Sequence, residues 1–169
     1  MRQLSKNYLN KVLQPHSHNG SSFDCFVNKG SQIPEVIKDP NSKNKILVVE
    51  DLPINQMVVK SFLEGMGYQV DIAPSGKAAL DCYQFNNYAL ILMDIGLPDI
   101  QGTEVTRQIR DFEYENENGK HTPIIAFTAN DLSFKSEYLA VGMDDFSVKP
   151  FEINTFALLI NKWIYKLDD

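Results

Sequence analysis

Residues 89–98, with the sequence ALILMDIGLP, contain an unbroken apolar run that ends in one carboxylate, Asp94. A run of this length, followed at once by Gly96 and Pro98, is typical of a strand buried on both faces, as in a parallel sheet. Open sheets of this kind bind their ligands beyond the carboxyl ends of the strands. Asp94 therefore occupies the position of a functional acid, although an aspartate that only begins a turn would give the same local pattern.

A short apolar strand followed by an amphipathic helix occurs five times after residue 44. Strands are predicted at 45–49, 68–73, 88–93, 123–127 and 145–148, and each is followed by a segment with helical spacing. Short links and right-handed crossovers then predict an α/β fold. The expected architecture is a doubly wound (βα)5 parallel sheet of five strands, in the flavodoxin-like order 2-1-3-4-5, with helices on both faces.

Three of the predicted segments carry more detailed expectations. The first helix should place its apolar residues on one face: Ile54, Met57, Val58, Phe62, Leu63 and Met66. The third helix should run from about 100 to 112, and the acidic stretch 113–120 should be a solvated loop. The last helix should pack on the sheet through one stripe: Phe156, Leu159, Ile160, Trp163 and Ile164.

Residues 1–43 differ from the rest in being rich in Asn, Ser, Gln, Lys and Gly. This composition predicts a partly flexible N-terminal extension or linker, with one folded domain at 44–169. The net charge of −6 argues against a nucleic-acid partner. Two cysteines without CxxC spacing argue against a disulfide framework and a zinc site. With neither a signal peptide nor a membrane span in the pattern, a cytoplasmic segment without membrane contact is expected.

Four of the five predicted strands end at, or are directly followed by, an acidic, hydroxyl or basic residue. The first strand is followed by Glu50 and Asp51, the third by Asp94, and the fourth and fifth end at Thr128 and Lys149. In a parallel sheet these ends share one edge, so the carboxylates would repel one another unless a divalent cation joined them. Oxygen ligands favour Mg2+. A carboxylate beside such a metal can act as a nucleophile toward phosphorus, with the ammonium and the hydroxyl on the phosphoryl oxygens.

Residues 44–166 resemble the receiver domain of response regulators in two-component signalling, the CheY-like family. The matching pieces are 46–55 (ILVVEDLPIN), 92–102 (LMDIGLPDIQG), 124–130 (IIAFTAN) and 142–151 (GMDDFSVKPF). The style of these motifs is most similar to receivers of hybrid sensor histidine kinases. The resemblance implies that Asp94 is the phosphoacceptor. It also implies that Mg2+ is held by Glu50, Asp51, Asp94 and the backbone carbonyl of Gly96.

The same resemblance implies that Thr128 and Lys149 contact the phosphoryl group and that the bond from Lys149 to Pro150 is cis. Thr128 and Phe146 would form the switch, because Thr128 moves toward the phosphate and the aromatic ring then turns inward. That movement would remodel the face built from the fourth helix, the fifth strand and the fifth helix. Phe146 stands where Tyr is commoner in the family, and Gly96 stands where many members carry a side chain near the attacking water.

By this resemblance the chain takes a phosphoryl group from a histidine kinase or a histidine phosphotransfer protein and controls a downstream protein effector. It would catalyse its own phosphorylation and dephosphorylation, while acting mainly as a signalling switch. The expected parent is a hybrid sensor kinase, of which this segment would be a cytoplasmic part. A stand-alone response regulator and a non-phosphorylated interaction module of the same fold remain alternatives. A haloacid-dehalogenase-type phosphatase is disfavoured because it needs a second acid where Gly96 stands.

Overall fold

The computed structural model describes residues 45–116, 120–129 and 132–166, so the expected N-terminal extension or linker at 1–43 lies outside the described residues. Strands and helices alternate along the described chain. The strands are β1 (Lys45–Val49), β2 (Gln69–Ala73), β3 (Leu90–Met93), β4 (Ile124–Thr128) and β5 (Asp145–Val148). The α-helices are α1 (Pro53–Gly65), α2 (Gly76–Phe85), α3 (Gly102–Glu115), α4 (Lys135–Ala140) and α5 (Ile153–Tyr165), and one 3-10 turn covers Leu132–Phe134.

The five strands form one parallel sheet in the order β2-β1-β3-β4-β5, which confirms the predicted fold class. The chain leaves β1 for β2 on one side and returns to place β3 on the other side of β1. A crevice forms at such a reversal, beyond the carboxyl ends of the two strands concerned. Glu50, Asp51 and Asp94 follow β1 and β3 directly, so the topology places all three acids at that crevice.

Alternate residues of the central strands face two separate cores, as expected for a sheet covered on both sides. Leu90 and Leu92 of β3 pack in the core that contains buried residues of α1 and α5. Ile91 and Met93 pack in the core that contains buried residues of α2 and α3. In α5 the predicted stripe is confirmed, with Phe156 and Ile160 buried and the other three members half-buried against the same core. None of the helices in the described part of the chain is long and apolar enough to cross a membrane.

The predicted apolar face of α1 is wrong in part. Val59 and Leu63 are the buried residues of the helix, and Phe62 is half-buried against them. Ile54, Met57 and Val58 are exposed, because an arc of six apolar side chains is wider than the stripe that the sheet covers. The structure therefore leaves an apolar surface on the outer side of α1.

The expectation of a solvated loop from 113 is wrong in part, because α3 continues to Glu115 and Glu113 is buried, while residues 114–116 are exposed as expected. One Glu113 oxygen accepts hydrogen bonds from the Tyr83 hydroxyl at 2.6 Å and the Thr122 amide at 2.8 Å. The other oxygen pairs with Arg110 at 2.6 Å, and Arg110 also pairs with Asp144 at 2.8 Å. A buried carboxylate needs such partners. This network therefore joins α2, α3 and the segments that precede β4 and β5.

Candidate functional site

The site begins with three carboxylates at the ends of β1 and β3. Backbone hydrogen bonds continue the sheet one residue past both strands, from Glu50 N to Ala73 O at 3.0 Å and from Asp94 N to Val49 O at 2.9 Å. Carboxylate oxygens of Glu50, Asp51 and Asp94 consequently lie within 4.8 Å of one another. Glu50 is fully buried, Asp94 is 8% exposed and Asp51 is half-buried. The acids predicted to form one site are therefore brought together.

Lys149 supplies the positive charge at the centre of the site. Its ammonium lies 2.5 Å from Glu50 Oε2 and 2.7 Å from Asp94 Oδ2, and it sits 4.8 Å from the centre of the Phe127 ring. The Lys149 amide donates to Thr128 O at 2.8 Å, so the lysine leaves β5 beside the end of β4. The bond from Lys149 to Pro150 is cis, as the resemblance implies.

Glu50 also anchors the start of α1. Its second carboxylate oxygen accepts from the Leu52 amide at 3.2 Å and from Asn55 Nδ2 at 3.1 Å. Gln56 Nε2 donates to the backbone carbonyl of Glu50 at 2.7 Å. A fully buried carboxylate is stable only when both oxygens have partners, and here both do. Asn55 and Gln56 were not among the predicted site residues, although their position four and five residues after Asp51 was a usable signal.

The donor set fits Mg2+. Three acidic groups lie together at the strand ends, and the one ammonium beside them contacts only Glu50 and Asp94. Oxygens around one Mg2+ ion lie roughly 3 to 4 Å apart, since each Mg–O bond is about 2.1 Å long. One oxygen from each of Glu50, Asp51 and Asp94 lies within 4.8 Å of the others, and the group contains no nitrogen or sulfur ligand. The arrangement can therefore take up a hard divalent cation.

The loop from β3 to α3, residues 94–101, is closely packed on one side and open on the other. The Gly96 amide donates to Asp94 Oδ1 at 3.2 Å, and no heavy atom of the described residues beyond its chain neighbours lies within 4 Å of a Cβ placed on Gly96. A Cβ on Gly102 would lie 2.1 Å from the Asp94 carbonyl oxygen. Only glycine fits there, so α3 begins directly behind Asp94.

Thr128 and Phe146 lie beside the charged residues on neighbouring strands. Thr128 ends β4 and is 3% exposed. Phe146 lies within β5, half-buried against the core that α2 and α3 cover, and the Lys135 ammonium of α4 is 4.9 Å from its ring centre. The structure thus joins Glu50, Asp94 and Lys149 by direct contacts. Thr128 adjoins Lys149 through the backbone, and Phe146 links β5 to α4.

Exposed apolar side chains follow the acid pair. Leu52, Ile54, Met57 and Val58 are 52%, 60%, 58% and 49% exposed, and together they form the α1 apolar patch. Leu52 directly follows Asp51, and the first turn of α1 is tied to Glu50 through Asn55, so the patch begins at the border of the acidic site. Clustered exposed apolar side chains of this kind mark surfaces that bind other proteins.

Comparison with known proteins places this geometry in a family. The family model described as response regulator receiver domain matches residues 46–161. The aerobic respiration control sensor protein ArcB of Escherichia coli K12 is 35% identical, over 99% of this chain and 22% of ArcB. This chain therefore spans about a fifth of the length of that relative.

Two solved structures of receivers bear on the site. The receiver domain of sensor histidine kinase PA1611 from Pseudomonas aeruginosa has a magnesium ion coordinated in its active-site cleft. It is 38% identical to this chain with a TM-score of 0.65, covering 73% of this chain and 99% of that one. The Saccharomyces cerevisiae receiver of Ssk1 was crystallised with the histidine phosphotransfer protein Ypd1. That match is 32% identical with a TM-score of 0.64, covering 70% of this chain and 87% of that one.

Proposed function

The chain belongs to the response regulator receiver family, and we propose that Asp94 is its phosphoacceptor in a histidine-to-aspartate phosphorelay. One observation carries the proposal most directly. The Asp94 carboxylate ends β3 in contact with the Lys149 ammonium and within 4.8 Å of the other two acids. This is the arrangement that phosphoryl transfer to a carboxylate requires, because the nucleophile lies beside groups that neutralise phosphoryl oxygens.

In the proposed step one Asp94 oxygen attacks the phosphorus of a phosphohistidine. An O–P bond forms while the P–N bond breaks, and the electron pair of that bond stays on the imidazole nitrogen, which takes a proton from solvent. Glu50, Asp51, Asp94 and the Gly96 carbonyl would hold Mg2+, which when bound neutralises charge on the phosphoryl oxygens. Hydrolysis by water then returns Asp94 to the free carboxylate and releases inorganic phosphate.

Lys149 and Thr128 contact the phosphoryl group, and Thr128 and Phe146 change position when it is bound. Lys149 directs its ammonium to a phosphoryl oxygen, and the hydroxyl of Thr128 donates to another. The movement of Thr128 lets the Phe146 ring turn inward. Phe146 lies under the Lys135 ammonium of α4, so its movement changes the face formed by α4, β5 and α5. A local change of charge thereby biases a two-state element that a downstream protein effector reads.

The partner in the transfer is a histidine kinase or a histidine phosphotransfer protein. A phosphohistidine on a folded protein must be carried to Asp94 by a surface that rests beside the acids. The α1 apolar patch offers such a surface, since Leu52 and Ile54 follow Asp51 and are half or more exposed. The complex of Ypd1 with the Ssk1 receiver supports a partner of this kind.

The parent protein is proposed to be a hybrid sensor kinase. Residues 44–169 would be its receiver domain, and residues 1–43 the linker or extension before it, on the cytoplasmic side of the membrane. The support is the alignment with ArcB, which extends through 99% of this chain and so includes most of residues 1–43. A stand-alone response regulator is the alternative arrangement of the same receiver.

Intact-mass spectrometry tests the phosphoacceptor. The protein is incubated with acetyl phosphate and Mg2+, and the expected result is the mass increase of one phosphoryl group. The increase should be absent in Asp94→Asn and present in Asp81→Asn, which changes an exposed aspartate on α2. No increase in the wild-type protein, or an increase that survives in Asp94→Asn, contradicts the proposal.

A further inference from the structure

Asp99, in the loop from β3 to α3, holds the beginning of α2. Its Oδ1 accepts from the Gly76 amide at 2.8 Å, and its Oδ2 accepts from the Lys77 amide at 2.9 Å. The first amides of a helix have no acceptor within the helix itself. The amides of Lys77 and Gly76 lower the pKa of Asp99 to about 2, so the carboxylate is charged throughout the neutral range. Both carboxylate oxygens of an exposed loop residue are thus committed to another element.

A second observation at the same place concerns the closeness of α2 to this loop. A Cβ on Gly76 would lie 2.8 Å from Val105 Cγ2 and 2.9 Å from both Cβ and O of Ile100. The helix begins so near the loop that only glycine fits between them. Ser75 already caps α2 by accepting from the Ala78 amide at 3.2 Å, so the helix has a cap of its own besides Asp99.

Gly96 lies three residues before Asp99 and has little restraint from packing. Beyond its chain neighbours, no described atom lies within 4 Å of its Cβ position, and glycine has a wide choice of backbone conformations. A loop that must keep one backbone carbonyl in place for a metal therefore needs an anchor elsewhere. Gly102 supplies one behind Asp94, where its amide also donates to Ile95 O at 3.0 Å. Asp99 supplies a second anchor, on the side of Gly96 away from Asp94.

We propose that Asp99 is a positioning residue of the site: it ties the loop from β3 to α3 to the start of α2 and thereby holds Gly96 ready to bind Mg2+. The inference rests on the proposed function, because it concerns the metal that would serve phosphoryl transfer to Asp94. It differs from an ordinary helix cap, which would stabilise α2 and leave the metal affinity unchanged.

The test measures Mg2+ affinity by calorimetric titration of the full chain, with urea unfolding of each variant beside it. Removing a residue that orients metal ligands through other groups typically weakens metal binding by about 10-fold or more. Since Asp99 acts through the loop backbone, Asp99→Ala should raise the dissociation constant for Mg2+ about 3- to 10-fold. Asp99→Asn keeps one acceptor oxygen and should give a smaller increase. Asp81→Asn, on the outer surface of α2, is the matched control and should bind Mg2+ as the wild type does.

A second pair of variants approaches the same contact from the helix. Gly76→Ala should push α2 away from Ile100 and also weaken Mg2+ binding, whereas Gly65→Ala, where nothing lies within 4 Å, should not. Should Asp99→Ala fail to fold, Asp99→Asn and Gly76→Ala decide the question. A dissociation constant within about twofold of the wild type, with only the urea midpoint lowered, overturns the proposal. Asp99 would then act only as an N-terminal cap of α2.

Failure of the proposed function gives a different result. If Asp94 were not the phosphoacceptor, the wild-type protein would gain no phosphoryl group or Asp94→Asn would still gain one, while the comparison of Mg2+ affinities between variants would still be measurable. If only the role of Asp99 is wrong, phosphorylation proceeds and all variants bind Mg2+ alike.

Discussion

Lys149 is the residue whose surroundings decide most about the chemistry of the site. Its ammonium contacts both Glu50 and Asp94 and its side chain is 15% exposed, so water screens these contacts weakly. The ammonium between them offsets the repulsion of two adjacent acidic groups. Gly96 has the opposite character, because it brings no side chain to the site and leaves open space beside Asp94.

We expect Gly96→Met to prolong the phosphorylated state. The space beyond a Cβ at this position is open, so the side chain can be accommodated, and it should obstruct the path of water to the phosphoryl group. A three- to tenfold longer half-life corresponds to a barrier about 0.7 to 1.4 kcal/mol higher. The half-life of the phosphorylated protein is followed by intact mass after removal of acetyl phosphate. Gly65→Met is the control at an equally open position, and an unchanged half-life in Gly96→Met would refute the expectation.

The site residues at the ends of strands could be predicted from the sequence. The hydrogen-bond partners of individual residues were harder to predict. Glu50 and Asp94 each follow an apolar run and Lys149 follows the last short strand, and the parallel order alone brings such positions to one edge. Asp99 was not predicted to have a role, because its partners are two backbone amides 22 and 23 residues earlier. Nothing in the local pattern of an exposed loop acid distinguishes it from a solvated one.

Among the secondary structure elements, α1 has apolar residues on two faces, one buried and one exposed. Val59 and Leu63 attach it to the core, while Ile54 and Met57 are exposed on its outer side. Its first turn is fixed to Glu50 by Asn55, so the α1 apolar patch has a defined position relative to the site. The periodic pattern in the sequence could not separate these faces, since apolar residues occupy both.

We expect Ile54→Ser and Met57→Ser to slow phosphoryl transfer from a phosphorylated histidine phosphotransfer protein about tenfold. Truncation of an apolar anchor at a protein interface typically costs about 1 to 2 kcal/mol. Phosphorylation by acetyl phosphate should proceed at the wild-type rate, because this small donor needs no docking surface. Phe85→Ser, which changes an exposed aromatic at the end of α2, is the control. Equal slowing with both donors would show that the variants disturb the site and not the docking of a partner.

In the molecule as a whole, the two edges of the sheet differ in their polar chemistry. The carboxyl edge carries the acids and Lys149. Toward the opposite edge, Arg110, Glu113 and Asp144 form a network that joins helices to the segments preceding two strands. Burial raises the pKa of Glu113, but the hydrogen bond from Tyr83, the amide of Thr122 and the charge of Arg110 together hold it below its ordinary value. The contribution of Glu113 to the stability of the fold is therefore larger when Glu113 is ionised.

The pH dependence of Glu113→Gln tests this network. A pKa lowered by folding contributes stability above the unfolded value of about 4.3, and that contribution is lost as the pH falls through the folded value. Glu113→Gln should lower the free energy of unfolding by about 1 to 3 kcal/mol at pH 7, and the difference from the wild type should shrink below about pH 4. Urea unfolding of the wild type and the variant at pH 7 and pH 3.5 measures the loss of stability and its dependence on pH. Glu115→Gln, on the exposed end of α3, is the control, and a difference independent of pH would argue against the network.

The alternation of β3 between two cores has a consequence for insertions and deletions. Leu90 and Leu92 belong to one core and Ile91 and Met93 to the other, so one residue added within this strand would exchange every side chain after it between the two sides of the sheet. Asp94 would then no longer stand beside Glu50. Two added residues would keep each side chain on its own side of the sheet but would move Asp94 roughly 6.6 Å along the strand. The position of Asp94 beside Glu50 therefore depends on the length of this strand, four apolar residues.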